Sequence, residues 1–117
     1  MKKIKILAGL ACALFVFSSC EEKADDVITP SVSFAQVNPI LKTNCSPCHA
    51  TGGGAAFESR AKFVDNFNIA KNVASGILNR VNRDEGAAGF MPRGGSKLSA
   101  SNIKTVSDWI ASGLTEN

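Results

Sequence analysis

Three stretches of the chain carry apolar residues at helical spacing, and no stretch alternates convincingly as a strand. The first begins near Ser33, where Ser33 and Gln36 have capping-box spacing. Phe34, Val37, Ile40 and Leu41 then fall on one helical face. Pro39 interrupts this pattern, so it either kinks the helix or opens the regular part as its first residue. The second stretch runs from about Asn66 to Asn82, with Phe67, Ala70, Val73, Ala74, Ile77 and Val81 in register. Asp65 or Asn66 caps it, Asp84-Glu85-Gly86 stops it, and Gly76 weakens it slightly. The third follows KLSAS: Ser99 or Ser101 caps, Ile103, Val106, Trp109 and Ile110 form the apolar face, and Gly113 ends it. The pattern predicts an all-α fold of about three main helices joined by long connections.

The N-terminus follows another logic. Lys2, Lys3 and Lys5 precede an uninterrupted apolar or small run from Ile6 to Phe17, then Ser18, Ser19 and Cys20. This is the layout of a secretory signal peptide over residues 1–19. The run falls short of the roughly 20 apolar residues a membrane span takes. FSSC (17–20) resembles a bacterial lipoprotein cleavage box, departing from it at Phe17, where such boxes usually carry Leu. The resemblance implies lipidation of Cys20; plain cleavage and secretion is the alternative. Several acyl chains anchor stably where one does not, each buried CH₂ adding roughly 0.8 kcal/mol.

Residues 20–32 then read as the lipidated cysteine and a flexible acidic tether, and 33–117 as the domain. The tether's twelve residues reach at most about 40 Å when extended.

Charge changes with processing. The chain has 13 basic and 10 acidic residues; losing Lys2, Lys3 and Lys5 makes it neutral. From Ser31 onward the basic residues exceed the acidic by three, too small a surplus to argue for nucleic acid. A lightly basic rim of this kind suits an acidic protein partner or is simply solvated surface.

Cysteine usage points to the chemistry. Cys12 leaves with the signal peptide and Cys20 takes lipid, so Cys45 and Cys48 remain, followed by the chain's single histidine, His49. Cys45-Ser46-Pro47-Cys48-His49 is C-x-x-C-H, the attachment spacing of c-type haem. Residues i and i+3 share a helical face, so both thiols reach one edge of the ring, and the next residue offers an imidazole to the iron. Structural zinc takes four ligands, and here only carboxylates are left to complete the set. A thiol–disulfide oxidoreductase places C-x-P-C at a helix start in a βαβ context, and no strand pattern is present. A structural disulfide is the remaining alternative. A domain under 90 residues without disulfides is also marginal in its core, and a large apolar prosthetic group helps complete it.

The second axial ligand follows by elimination. His49 is the only histidine, and with Met1 lost Met91 is the only methionine. It sits in GFMPRGG before Pro92, which disfavours helix at Met91, so a glycine-flanked loop presents its thioether. An ordinary core or surface methionine is the alternative, leaving the iron open or held by a lysine. The GGG run (52–54) reads as backbone passing close to the ring, Arg60 and Arg93 as propionate partners or solvated arginines, and Trp109 as core.

SFAQVNPILKTNCSPCHA, FMPRGGSKLS and VSDWIASG together resemble class I cytochrome c domains, particularly those of small bacterial envelope lipoproteins. The likeness covers nearly all of residues 33 to 113. It implies a cytochrome c-like fold around one covalent haem c, with thioethers at Cys45 and Cys48 and axial ligation by His49 and Met91. It also implies packing of the first helix on the last near Phe34, Val37, Trp109 and Ile110. Many members have a proline soon after the histidine whose carbonyl orients the ring. This chain has none between Ala50 and Phe90, so another carbonyl, near Gly52 to Ala56, is expected to accept the free imidazole N–H.

The function implied is electron transfer between a redox donor and acceptor in the cell envelope, by a carrier that is not itself an enzyme. The protein is then a monomer or one subunit of a redox complex. The alternatives are a haem subunit of a larger envelope oxidoreductase and a gas-binding haem sensor with a displaceable distal ligand.

Overall fold

The computed structural model describes residues 31–117. The expected signal segment, the expected lipid attachment at Cys20 and nearly all of the expected tether lie outside the described residues. Three helices form: α1 over Phe34–His49, α2 over Phe67–Asn82 and α3 over Ala100–Ala111. A short 3₁₀ turn, Ala55–Phe57, lies between α1 and α2. The all-α expectation holds among the described residues, and the arrangement is compatible with a cytochrome c-like fold. None of the helices described is long and apolar enough to cross a membrane.

α1 runs unbroken through Pro39 and Pro47, so the regular helix does not wait for Pro39. Each proline removes one backbone donor, which frees the carbonyl four residues earlier. Those carbonyls belong to Ala35 and Thr43, both exposed residues, so solvent can take the place of the lost partner. Gln36 Oε1 accepts the Ser33 backbone N–H at 3.0 Å, as the capping spacing predicts. α2 and α3 begin where their caps predict: Asn66 Oδ1 accepts from Ile69 N–H at 3.1 Å, and Ser99 Oγ from Asn102 N–H at 3.2 Å. Gly113, at φ 88°, follows the end of α3.

α3 is the hub, packing on both α1 and α2. Trp109 is fully buried, its ring centroid 5.6 Å from that of Phe34, and Val37, Leu41, Val64 and Val106 complete the innermost layer. The expected packing of the first helix on the last is therefore present. The chain ends join it: Ser33 pairs with Thr115 in an isolated parallel bridge, and Phe34 N–H donates to Thr115 O at 2.8 Å.

Val32, read above as the last residue of the tether, joins this core. It is buried in the core, and its N–H donates to Ser112 Oγ at 3.0 Å. An apolar side chain next to the α1–α3 contact gains more from that packing than from solvent.

Candidate functional site

The site begins on the last two turns of α1. Cys45 and Cys48 stand one turn apart, both half-buried, and His49 closes the helix. Burial first, and the neighbouring Cys48 second, push the Cys45 thiol up to about 11. Reactive thiolates need the opposite setting, a helix N-terminus or a nearby cation. These thiols occupy a C-terminal end, where the helix dipole disfavours negative charge. No group of three or more His, Cys, Asp or Glu among the described residues is placed to hold a metal ion on its own.

His49 is gripped by a returning segment, residues 61–65. Its Nδ1 lies 2.9 Å from the Ala61 carbonyl oxygen. A carbonyl only accepts, so Nδ1 carries the proton, and in the neutral ring Nε2 keeps the lone pair that ligates a metal. Phe63 stacks on the imidazole at 4.4 Å between centroids and 28° between planes. Val64 N–H donates to His49 O at 3.3 Å, Asn38 Nδ2 donates to Val64 O at 2.7 Å, and Thr51 N–H donates to Asp65 Oδ2.

The acceptor for the imidazole is thus Ala61, downstream of the expected stretch Gly52 to Ala56. The chain first turns at Gly52 and Gly54, with φ of 83° and 91°. It passes through the 3₁₀ turn and only then returns, with Lys62 Nζ donating to Phe57 O at 2.8 Å. The glycine run serves this reversal and does not line the cavity described below. Gly53 lies against α1, where an added Cβ would come 2.8 Å from the Pro47 carbonyl oxygen.

The clamp carries a pH signature. The Thr51 backbone N–H, ahead of Lys42 and Lys62, holds the exposed Asp65 carboxyl below its ordinary value. A depressed carboxyl contributes stability above its unfolded pKa, about 3.9, and loses it as pH falls through the folded value. The melting-temperature gap between the protein and Asp65→Ala is expected to be largest near neutrality and to narrow below about pH 4. A gap constant from pH 7 to 3 would remove the carboxylate charge from the clamp.

Met91 lies in the loop between α2 and α3, as expected, and is half-buried. Its N–H donates to Arg80 O at 3.3 Å, and Lys97 Nζ donates to Asn82 O at 2.9 Å. Two of the orphan carbonyls at the end of α2 are thereby satisfied by this connection. Lys97 N–H also donates to Glu85 Oε1 at 2.6 Å, and Phe90 is buried.

Cys45, Cys48, His49 and Met91 line one cavity of about 840 Å³, towards the upper end of the roughly 300–1,000 Å³ usual for ligand and cofactor sites. Val73, Gly76, Ile77 and Arg80 supply a wall from α2, and Phe57 and Phe63 another. Arg60 and Arg93 also line it, with the Arg60 guanidinium 5.6 Å from the Phe57 ring centroid. Trp109 does not; it is core, and its Nε1–H donates to Thr115 O at 2.9 Å. Sequence reasoning placed Val73 and Ile77 on a generic core face and passed over Gly76, Arg80, Phe57 and Phe63. The available signal was on α2, where Gly76 and Arg80 share a face with Val73 and Ile77, a small and a charged residue where plain packing would take neither.

The donors suit a c-type haem. Two thiols stand at one wall, an imidazole whose Nδ1 is committed to Ala61 O beside them, and a soft thioether on the loop, amid apolar surface. The fold is all-α and compatible with a cytochrome c-like domain, and one known protein bears on this. The chain is 33% identical over 94 residues to the cbb3-type cytochrome c oxidase subunit FixP of Azorhizobium caulinodans, covering 70% of this chain and 30% of that protein. This likeness points to the c-type cytochromes, although the chain spans less than a third of that relative's length. No family model matches, and no solved structure does.

Proposed function

We propose that the domain from Val32 onward is an electron-transfer module holding one covalent c-type haem, and that it works as a carrier rather than an enzyme. Cys45 and Cys48 would form the thioethers, and His49 and Met91 would ligate the iron. When bound, the haem supplies a one-electron iron couple. The residues do the rest. Ala61 O and Phe63 fix the imidazole so that Nε2 is the ligating atom. The α2 wall and Phe57 exclude water, and the thioether of Met91 favours the reduced metal and raises the potential. Ligation by both His49 and Met91 would leave no position on the iron for a substrate.

The observation that carries this reading is the C-x-x-C-H turn at the end of α1, its His49 Nδ1 committed to Ala61, lining the same cavity as Met91. The protein is proposed to be exported and anchored through lipid on Cys20, with the domain reaching donor and acceptor proteins in the cell envelope. A second reading has a specific support: the relative is a subunit of a cytochrome c oxidase. In that case the domain is a permanent electron port of a larger oxidoreductase, and a partner co-purifies with it.

The test is the optical spectrum of the mature domain produced with c-haem maturation machinery, oxidised and reduced, with and without carbon monoxide. A covalent low-spin haem with a sulfur-to-iron charge-transfer band is expected. A high-spin haem that takes carbon monoxide readily would move the function to sensing or catalysis, and absence of covalent haem would end the proposal.

A further inference from the structure

The loop that presents Met91 contains Gly86, Gly89, Gly94 and Gly95, so its backbone has wide freedom. Two arginines on α2 and its cap restrain it. Arg83 Nε and Nη2 both donate to Asn79 Oδ1, at 3.2 and 2.8 Å, one turn earlier. That fixes the guanidinium plane and leaves Nη1 to donate to the Ala88 carbonyl. Arg80 Nη1 donates to Gly89 O at 3.4 Å, while Arg80 O accepts the Met91 N–H. The fit is close: a Cβ at Gly89 would come 2.6 Å from Arg83 Nη1. The ion pairs among the described residues use Lys97 and Lys104, so the guanidinium donors are directed to carbonyls.

We propose that Arg83, oriented by Asn79, is a positioning residue for Met91. It fastens the methionine loop to the end of α2 and so keeps the thioether at the cavity. Arg83 is not a cavity-lining residue, and it acts only through the loop backbone. Its planar fork engages Asn79 and Ala88 at once, which a lysine ammonium on a flexible stem does not reproduce. The inference rests on the reading of Met91 as the distal ligand.

The test uses the haem-loaded mature protein and three variants at exposed positions: Arg83→Gln, Asn79→Ala and Asn79→Asp. One readout is amide hydrogen exchange at Phe90 and Met91, whose N–H groups bond to Ala87 O and Arg80 O. The other is the rate at which imidazole displaces the sulfur-to-iron band in the oxidised protein. Arg83→Gln and Asn79→Ala are expected to speed both by about tenfold, the scale of one lost hydrogen bond from a charged donor. Asn79→Asp keeps an acceptor for Arg83 and is expected to retain the parent rates. Unchanged exchange in the first two variants overturns the clamp. Faster exchange with unchanged displacement overturns the role in holding Met91. A parent protein without the band overturns the ligand reading and this proposal with it, and differs from a failed clamp because the parent itself is then anomalous.

Discussion

Met91→Ala is expected to abolish the sulfur-to-iron band, to open the reduced protein to carbon monoxide, and to lower the reduction potential. The drop should be on the order of 0.1 V or more, within the roughly 0.8 V that axial ligation spans across haem proteins. The chain offers no substitute of the same kind, since His49 is its only histidine and Met91 the only methionine in the described residues. Met91→His is the informative companion. It should restore a low-spin spectrum yet leave the potential low, because imidazole lacks the thioether's preference for the reduced metal. Spectra and potentiometry of the three proteins decide the matter. An alanine variant with the parent spectrum and potential would remove Met91 from the metal.

Trp109→Ala is expected to be the most damaging change away from the cavity. The side chain is fully buried between α1 and α3, in ring contact with Phe34 and hydrogen-bonded to Thr115 O. Truncating a buried aromatic costs about 3–5 kcal/mol, against a total of roughly 5–15 kcal/mol for a domain. Guanidinium unfolding of the haem-loaded protein should show a midpoint lowered accordingly. Trp109→Phe should cost far less, since Thr115 O keeps its bond from Phe34 N–H. An alanine variant losing under about 1 kcal/mol would mean that the α1–α3 contact is not what holds the fold.

What could be read from the chain alone was what local pattern encodes. α2 and α3 were legible because apolar period and side-chain N-caps agree in both, with Gly113 also following the end of α3. The C-x-x-C-H turn was legible because its spacing is itself the geometry. α1 was only half legible: whether Pro39 breaks a helix depends on which face the freed Ala35 carbonyl occupies, and that is a property of the packed fold. The Ala61 carbonyl was beyond reach, since every residue has one and only the return of the loop selects it. Val32 was grouped with an acidic tether because its partners, Ser112 and Thr115, lie at the other end of the domain.

That last pairing has an architectural consequence. Where Ser33 and Thr115 meet, entry and exit of the folded unit are separated by about the spacing of two neighbouring strands, roughly 5 Å. A unit whose two ends adjoin can be carried inside a longer polypeptide at a surface turn with hardly any gap to bridge. The likeness to one stretch of a much longer oxidase subunit is what a unit with adjoining ends permits.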